Sequence, residues 1–378
     1  MSTDFDVVIL GAGPAGAATA RWLQQWGCRV GVMERSCFDT LRIGESLAPA
    51  VQPLLADLGV WPQFLAMQPL PSYGTRSLWG DPMPQVHSHI VTPWGCGWHV
   101  DRLAFDRMLA DAACEAGVDL RCGTTVIRCD GSADGWELQL QKRNGDGLGQ
   151  LMLRLRAKVV IDATGRAARL APWVSAQRFL LDHLVSIAAQ FTGIDNAREG
   201  YVMVETTNDG WWYSAPVPDG RMMAMLMTDS DLCGYSNLAS RPMWHSRLES
   251  AVATCRRAAG GVLSWGPRVV SAISQRLRRA EQRRPWLAVG DAALAIDPIS
   301  GSGVVRALRS ARAAAETALA LLEGHAERIE QYETEQDDEC TNYLRERALY
   351  YGIEHRWTKS AFWQRRVAAA AQLTSSTV

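Results

Sequence analysis

The sequence predicts an α/β protein in which a parallel βαβ unit is interrupted by a second, separate β-sheet and followed by a helical tail. Three observations carry this prediction. An apolar strand, Asp6–Leu10, runs into a glycine-rich turn and a helix. Four segments with strand-like patterns follow one another between residues 185 and 228. A long alanine-rich helical stretch begins at Gly303, soon after another apolar strand.

The composition is ordinary for a globular protein, and it argues against several classes of function. The 378 residues are 47% hydrophobic and 21% charged with a net charge of -1, so a basic nucleic-acid-binding face is not expected. The nine cysteines are scattered without a CxxC pair, which argues against a metal site or a disulfide framework. Met1–Asp6 is polar and no apolar run approaches the length of a membrane span. We therefore expect a cytoplasmic protein with no membrane span.

The N-terminal elements form a complete βαβ unit. After the strand Asp6–Leu10, residues Ala15–Trp26 have a helical pattern that Gly27 ends, and Arg29–Met33 is a second apolar strand. A crossover of this kind joins two parallel strands of one sheet. We therefore expect the two strands to lie in one sheet, with the helix packed against it.

The turn between the first strand and the helix has the spacing of a dinucleotide-binding fingerprint. Gly11 permits the tight turn, Gly13 lets the backbone approach a pyrophosphate, and Gly16 lets the helix pack closely on the strand. Glu34 ends the second strand, where a carboxylate accepts hydrogen bonds from a ribose. Because these features occur in the required order, we predict that the N-terminus of the helix binds the phosphates of a dinucleotide.

The remaining elements alternate between the two sheets. The predicted dinucleotide-binding domain covers residues 1–70, 100–174 and 271–325, the predicted substrate domain residues 71–99 and 175–270, and the helical C-terminal segment residues 326–378. The further predicted helices are Asp101–Ala116 and Gly303–Glu323. The further predicted strands are Val118–Cys122, Thr124–Asp130, Trp136–Lys142, Leu151–Arg156 after a glycine-rich turn at 144–149, Lys158–Ala163, Val185–Phe191, Tyr201–Glu205, Gly210–Pro216, Met222–Thr228 and Trp286–Val289.

A second motif follows the strand near residue 290 and predicts a flavin. Asp291 comes at the end of that strand, where its side chain can hydrogen-bond a ribityl hydroxyl. Pro298 precedes the turn Gly301-Ser302-Gly303, which opens a helix. The N–H groups at such a helix start support negative charge on the N1–C2=O edge of a reduced flavin. Together with the N-terminal fingerprint, this motif predicts one noncovalently bound FAD.

These two motifs resemble the glutathione-reductase-type FAD-binding fold and, within it, the flavoprotein monooxygenases. A finer resemblance covers nearly the whole chain and is to the tryptophan-halogenase-like branch, closest to the LodB-like flavoproteins that mature tryptophylquinone enzymes. It rests on Gly44–Pro49, Gly97–Asp106, Ile161–Arg166, Gly210–Pro216 and a tail from Tyr350 to Trp363. The resemblance implies an FAD-dependent monooxygenase that hydroxylates a tryptophan of a partner protein.

The resemblance and the motifs together assign residues to FAD, to catalysis and to an aromatic substrate. The predicted cofactor contacts are Gly11, Gly13, Pro14, Ala15, Gly16, Glu34, Arg35, Gly44, Ser46, Arg102, Val126, Asp291, Pro298, Gly301, Ser302 and Gly303. The candidate catalytic residues are Glu45, Ser46 and His99, and the candidate substrate contacts are Trp211, Trp212 and Tyr213.

The sequence departs from the flavin halogenases at a residue that their chemistry requires. Those enzymes carry a catalytic lysine near a WxWxIP motif in the first third of the chain. Here the first lysine is Lys142, and the nearest tryptophan-rich stretch, Trp94–Trp98, does not have that pattern. We therefore expect no halogenation.

The electron donor and the substrate stay open at this stage. No second GxGxxG unit with strand context is present, so reducing equivalents come either from NAD(P)H or from a separate flavin reductase. The arginine-rich stretch Arg276–Arg284 is either a solvated face or a charged rim that steers a partner protein. The alternatives to a protein substrate are hydroxylation of a free aromatic metabolite, an FAD-dependent reductase or dehydrogenase, and a flavin-bearing scaffold without activity.

Overall fold

The computed structural model describes residues 4–143, 150–194, 199–232, 239–280 and 284–375. Its helices are α1 (Pro14–Gln25), α2 (Val51–Asp57), α3 (Trp61–Ala66), α4 (Arg102–Glu115), α5 (Arg241–Ser250), α6 (Val252–Ala258), α7 (Gly303–Leu322), α8 (Arg328–Ile353) and α9 (Ala361–Ser375). Its strands are β1 (Phe5–Leu10), β2 (Val30–Met33), β3 (Ser46–Leu47), β4 (Leu70–Ser72), β5 (Gly74–Leu78), β6 (Gln85–Ser88), β7 (Gly97–His99), β8 (Asp119–Arg121), β9 (Thr124–Ser132), β10 (Gly135–Arg143), β11 (Gln150–Asp162), β12 (Ala176–Leu180), β13 (Leu184–Thr192), β14 (Tyr201–Thr207), β15 (Gly210–Val217), β16 (Arg221–Asp229), β17 (Val262–Ser271), β18 (Gln275–Arg279), β19 (Trp286–Ala288) and β20 (Leu294–Ala295).

The first large sheet contains the predicted βαβ unit. Its strand order is β8-β2-β1-β11-β10-β9, with β19 also paired to β11. β1 runs parallel to both of its neighbours, so that Val8 lies between Gly31 of β2 and Val160 of β11. Parallel strands covered on both faces require nearly continuous apolar residues, and five of the six residues of β1 are buried. The predicted α/β class and the predicted first unit are confirmed.

Strand β11 corrects one prediction. The sequence predicts two strands, Leu151–Arg156 and Lys158–Ala163, whereas the structure has one strand, Gln150–Asp162. Its first part pairs antiparallel with β10 and its last part parallel with β1, and Ala157 takes part in both pairings. An alternating pattern followed by an apolar run therefore belongs to one strand that passes from a half-exposed to a buried environment. The predicted turn at 144–149 lies outside the described residues.

Helices α1 and α7 pack side by side on the parallel strands. Their buried positions are mainly alanines, among them Ala20 on α1 and Ala311, Ala314 and Ala318 on α7. Small side chains let two helix backbones approach closely. The Thr19 hydroxyl lies 3.3 Å from the Ala311 carbonyl oxygen, to which it donates across this contact. The small residues on both helices therefore allow them to pack next to each other on the parallel strands.

The second large sheet is the predicted inserted sheet. Its order is β17-β13-β16-β15-β14-β5-β6, and only β5 and β14 run parallel within it. The helices α5 and α6 cover one face, where Trp244 packs among Trp212, Leu226 and Ile187. The opposite face packs against the C-terminal segment through Trp363, among others. All four strands predicted between residues 185 and 228 are present.

Two short three-stranded sheets lie at the boundary of the large ones. One has the order β3-β7-β4, and it pairs Ser46 with His99. The other has the order β12-β18-β20, and it precedes the turn that leads into α7. Neither sheet follows from the sequence pattern, because most of these strands have only two to five residues.

The C-terminal helices account for part of the arginine-rich stretch. The guanidinium of Arg276 is buried and forms ion pairs of 2.7 Å with Glu333 and 2.9 Å with Asp337, both on α8. Arg278 pairs with the same Asp337 at 2.9 Å. Arg276 and Arg278 thus attach α8 to β18, while Arg283 lies outside the described residues. Among the helices of the described ranges, none is long and apolar enough to cross a bilayer.

Candidate active site

The glycine turn before α1 has the geometry that a phosphate-binding turn requires. Gly11 has a φ of +99°, and a Cβ there would lie 2.6 Å from the Ala163 carbonyl oxygen. A Cβ on Gly16 would collide with the carbonyl oxygen of Gly11. At Gly13, in contrast, a Cβ would meet nothing within 4 Å, and no side chain caps α1. Gly11 and Gly16 are thus needed for packing, whereas Gly13 faces open space at a helix start with free N–H groups.

The Glu34 carboxylate lies directly beside this turn. Its Oε2 accepts a hydrogen bond from the Ala12 backbone N–H at 2.8 Å. Its Oε1 accepts two, from the backbone N–H and the hydroxyl of Ser36, at 2.9 and 2.6 Å. The guanidinium of Arg42 lies 3.5 Å from the same oxygen. Because a carboxylate oxygen can accept two hydrogen bonds, Oε2 retains the capacity to accept one from a ribose hydroxyl.

Arg35 and Val126, which we also predict to contact the adenine side of FAD, occupy different environments. Arg35 is exposed next to Glu34. Val126 is half-buried on β9 opposite Leu140, beside a register shift in the β9–β10 pair. The interrupted pairing fits a backbone position that contacts a ligand, and the adenine contact itself stays a prediction.

A second open helix start lies close to the first. A Cβ on Gly290, in the turn after β19, would lie 2.7 Å from the Cβ of Ala15 on α1 and 3.9 Å from the Cβ of Ala307 on α7, so the first turns of both helices approach this residue. At Gly301, whose φ is +58°, and at Gly303 an added Cβ would meet nothing within 4 Å. No side chain caps α7. The N-termini of α1 and α7 therefore lie near each other with open space beside both.

Pro298 and Asp291 border the same space. Pro298 opens a short 3-10 turn that leads into Gly301. The Ser302 hydroxyl lies within that segment and is 2.9 Å from the hydroxyl of Ser300. Asp291 is one-third exposed and its carboxylate lies 3.4 Å from the guanidinium of Arg166. The Asp291 carboxylate is therefore accessible to a hydroxyl-bearing ligand.

An arginine and an aspartate hold the Gly44 loop in place. Arg102 Nη1 donates to the carbonyl oxygens of Ile43 and Gly44 at 2.9 and 3.0 Å. Its Nε and Nη2 donate to Asp106, which Arg42 also contacts at 2.7 Å. Through these contacts Arg102 fixes the conformation of the Gly44 loop. A direct contact of Arg102 with FAD stays a prediction. Asp106 is not among the predicted site residues, although its spacing of four residues from Arg102 on α4 indicates an ion pair of this kind.

A buried polar network joins the inserted sheet to the Gly44 loop. The Tyr213 hydroxyl of β15 donates to Ser46 Oγ at 2.8 Å, and Ser46 Oγ lies 2.8 Å from His99 Nδ1. Glu45 Oε2 accepts a hydrogen bond from the Gly44 backbone N–H at 3.0 Å, while Glu45 Oε1 is buried without a partner. The structure therefore brings the three candidate catalytic residues together with one of the candidate substrate residues.

Burial sets the protonation of this network. It raises the pKa of the Glu45 carboxyl, an effect that backbone hydrogen bonds and the positive charge of Arg102 only partly oppose. It also raises the pKa of Tyr213 well above its usual range, and the nearby Glu45 charge adds to this. Burial lowers the pKa of His99 to about 3, and the positive charge of Arg257 contributes in the same direction. His99 is therefore neutral near pH 7, and Tyr213 is protonated.

The aromatic run on β15 needs a correction. Successive side chains of a strand point to opposite faces, so Trp212 faces α5 and stacks edge-on against Trp244 at 5.4 Å. Trp212 is fully buried in that core and does not share the face of Tyr213. Trp211 does share that face, but it is buried against the C-terminal segment. Of the three, only Tyr213 contacts the polar network directly.

The residues present fit FAD. Two neighbouring helix N-termini are open, each beside a glycine where an added Cβ would meet nothing within 4 Å, and Glu34 retains acceptor capacity beside the first. These features define a flavoprotein with a dinucleotide-binding fold and an inserted β-sheet. The chain belongs to the FAD binding domain family, whose model matches residues 4–346.

Comparison with known proteins relates the chain to LodB in sequence and to the flavin-dependent halogenases in fold. LodB of Marinomonas mediterranea, named as an FAD-dependent oxidoreductase, is 30% identical over 379 residues, which cover 97% of this chain and 98% of LodB. The myxobacterial chondrochloren halogenase CndH has the same fold, with a TM-score of 0.83 and 23% identity over 99% of this chain and 88% of CndH. The peptidyl tryptophan dihydroxylase QhpG, essential for tryptophylquinone cofactor biogenesis, has a TM-score of 0.70 and 25% identity over 96% of this chain and 78% of QhpG. The chain is thus an FAD-dependent oxidoreductase, and the predicted family is confirmed.

Proposed function

We propose that this FAD-dependent oxidoreductase is a monooxygenase that hydroxylates the indole of a tryptophan in a partner polypeptide. Reduced FAD supplies the two electrons with which one atom of O₂ is transferred to an aromatic carbon while the other leaves as water. NAD(P)H or a separate flavin reductase would provide those electrons. The similarity to LodB and to QhpG, which is named for a peptidyl tryptophan substrate, supports this substrate class.

The observation that carries the proposal is the hydrogen-bonded bridge from Tyr213 through Ser46 to His99. It joins the inserted sheet, where we propose that the substrate binds, with the Gly44 loop, which we expect from the family resemblance to lie against the isoalloxazine, through contacts of 2.8 Å each. Because His99 is neutral, its Nδ1 can accept the Ser46 proton, and Ser46 Oγ then accepts the proton of Tyr213. The bridge thus orients the Tyr213 hydroxyl and excludes water from the space between sheet and loop.

Glu45 is the best candidate for a proton-transfer group. Hydroxylation of an aromatic ring releases a proton from the attacked carbon when aromaticity is restored, and a nearby base must accept it. Burial raises the pKa of Glu45, which brings it closer to the working pH of a general acid–base. Its Oε1 atom is buried and unpartnered, so one oxygen is free to exchange that proton.

The surface next to the site supports a polypeptide substrate. Ile90 and Val91, in the segment that leads from the edge strand β6 to β7, are 85% and 86% exposed. Trp94 in the same segment and Val86 on β6 add further exposed apolar area. Contiguous exposed apolar residues mark sites of protein interaction, and β7 carries His99 of the buried network.

The test is co-expression of this chain with a tryptophan-containing protein encoded beside it, followed by mass spectrometry of that protein. The expected result is a gain of oxygen on a tryptophan that depends on this chain. Glu45→Gln should lower the yield about a hundredfold, as is usual for loss of an acid–base group. The matched control Glu115→Gln, an exposed position at the end of α4, should leave it unchanged. Modification without this chain, together with hydroxylation of a free aromatic compound, would contradict the protein-substrate proposal.

A further inference from the structure

Two tyrosines of α8, Tyr343 and Tyr351, form hydrogen bonds with Asp297 in the segment between β20 and α7. Asp297, which precedes Pro298, is 1% exposed and N-caps the 3-10 turn by accepting a hydrogen bond from the Ile299 N–H at 3.0 Å. Its other carboxylate oxygen accepts the Tyr351 hydroxyl proton at 2.7 Å. Its backbone N–H donates to the Tyr343 hydroxyl oxygen at 3.1 Å. Both sides of the residue are therefore fixed by the C-terminal segment.

Tyr351 also contacts the substrate sheet. Its hydroxyl oxygen accepts a hydrogen bond from Trp211 Nε1 at 2.9 Å. Trp211 lies two residues before Tyr213 on β15, on the same face of that strand. The Tyr351 ring is buried between Trp79 and Trp363, with ring centroids 5.5 and 5.9 Å away. One hydroxyl thus connects the strand of the polar network with the turn that opens α7.

We propose that Tyr351 is a positioning residue for FAD, which fixes the Pro298–Gly303 turn against the flavin and couples that turn to β15. The inference rests on the proposed placement of the flavin at this turn. A hydrogen bond to a carboxylate is among the stronger ones in proteins, and here no water competes for it. The orientation of the Gly301 and Gly303 N–H groups follows from the turn that Asp297 caps.

Removal of the Tyr351 hydroxyl would leave one oxygen of Asp297 buried without its donor. The turn would then shift to recover a partner, because an unsatisfied buried acceptor is costly. The shift would move the N–H groups of the turn away from the flavin. The site would then no longer be preformed, and FAD binding would have to order the turn at a cost in binding free energy. We expect FAD to dissociate about tenfold more readily and the absorption spectrum and midpoint potential of bound FAD to shift.

The experiment compares Tyr351→Phe with Tyr350→Phe in the full chain. Tyr350 is the adjacent residue and is 54% exposed, so its substitution removes the same atom from the same helix without touching Asp297. The dissociation constant for FAD, the visible spectrum and the midpoint potential are measured for both, along with the thermal midpoint of the deflavinated protein. Only Tyr351→Phe should change the first three quantities.

A second variant tests the coupling to β15. Trp211→Phe keeps an aromatic ring in the core but removes the Nε1 donor to Tyr351, so it should shift the same flavin properties to a smaller extent. Because both changes act on one hydroxyl group, their effects on FAD affinity should not add in the double variant. Trp211→Phe also keeps the inference testable if Tyr351→Phe does not fold.

Two results would overturn the inference in distinguishable ways. If Tyr351→Phe lowers the thermal midpoint but its FAD affinity, spectrum and potential equal those of Tyr350→Phe, Tyr351 stabilises the fold without positioning FAD. If the unmodified chain itself binds no FAD, the cofactor assignment fails and the inference with it. Absence of hydroxylase activity in a chain that binds FAD normally would count against the proposed reaction alone.

Discussion

Substitutions at two glycines of one turn should affect different properties, FAD binding at Gly13 and stability at Gly16. Gly13 has an extended backbone with φ of -71° and ψ of -179°, and an added Cβ would meet nothing within 4 Å. A valine there fits the protein but fills the space assigned to the pyrophosphate. A Cβ on Gly16 would overlap the Gly11 carbonyl oxygen and also touch Ala163 at 3.0 Å. An alanine at Gly16 therefore forces α1 away from the sheet.

The expected magnitudes follow from these contacts. Gly13→Val should change the free energy of unfolding of the deflavinated protein by less than about 1 kcal/mol, because only a helix N-cap preference is affected. It should cost FAD at least two charge-assisted hydrogen bonds at the helix start, each about 1.5–3 kcal/mol. That loss corresponds to at least about a hundredfold weaker FAD binding. Gly16→Ala should lower the free energy of unfolding by about 1–3 kcal/mol, the usual cost of overpacking.

Urea unfolding of the deflavinated variants and titration with FAD by fluorescence measure the two quantities separately. The reasoning is wrong if Gly13→Val is folded and binds FAD within threefold of the unmodified chain, since the phosphate would then lie elsewhere. It is equally wrong if Gly16→Ala unfolds at the same urea concentration as the unmodified chain, since the close approach of α1 to the turn would then have no energetic consequence.

Three further predictions address the buried histidine, the cofactor and the reaction. The folded-state pKa of His99 is about 3, so between pH 6.5 and 3 the unfolded chain binds an extra proton; stability should fall by about 2 kcal/mol from pH 6.5 to 5 through this residue. Urea unfolding of His99→Gln should lack that part of the pH dependence, and identical slopes would contradict the assignment. Heat denaturation should release FAD, and recovery of FMN alone would refute the dinucleotide site. Reduced protein given chloride or bromide should form no halogenated product above the free-hypohalite background.

Local sequence patterns were sufficient for the first βαβ unit of the fold. The helix predicted at Ala15–Trp26 is observed at Pro14–Gln25. All the signals that specify it are local: an apolar run and a glycine turn lie just before the helix, and a glycine follows it. The pairing of Ser46 with His99 could not be predicted in this way. The strands β3 and β7 have two and three residues, too few for a periodicity, and their contact depends on residues far apart in the chain.

The aromatic run on β15 shows both what strand periodicity predicts and what it leaves undetermined. Strand periodicity dictates that Trp211 and Tyr213 share one face and that Trp212 takes the other. It does not say which face meets the cofactor domain, since both faces of this sheet are covered, one by α5 and the other by the C-terminal segment. The three neighbouring residues therefore serve different purposes: Trp212 fills a core, Trp211 donates to Tyr351 and Tyr213 contacts Ser46. A substrate pocket assigned from all three residues would include Trp212, which only packs in a core, together with Tyr213, which contacts the polar network.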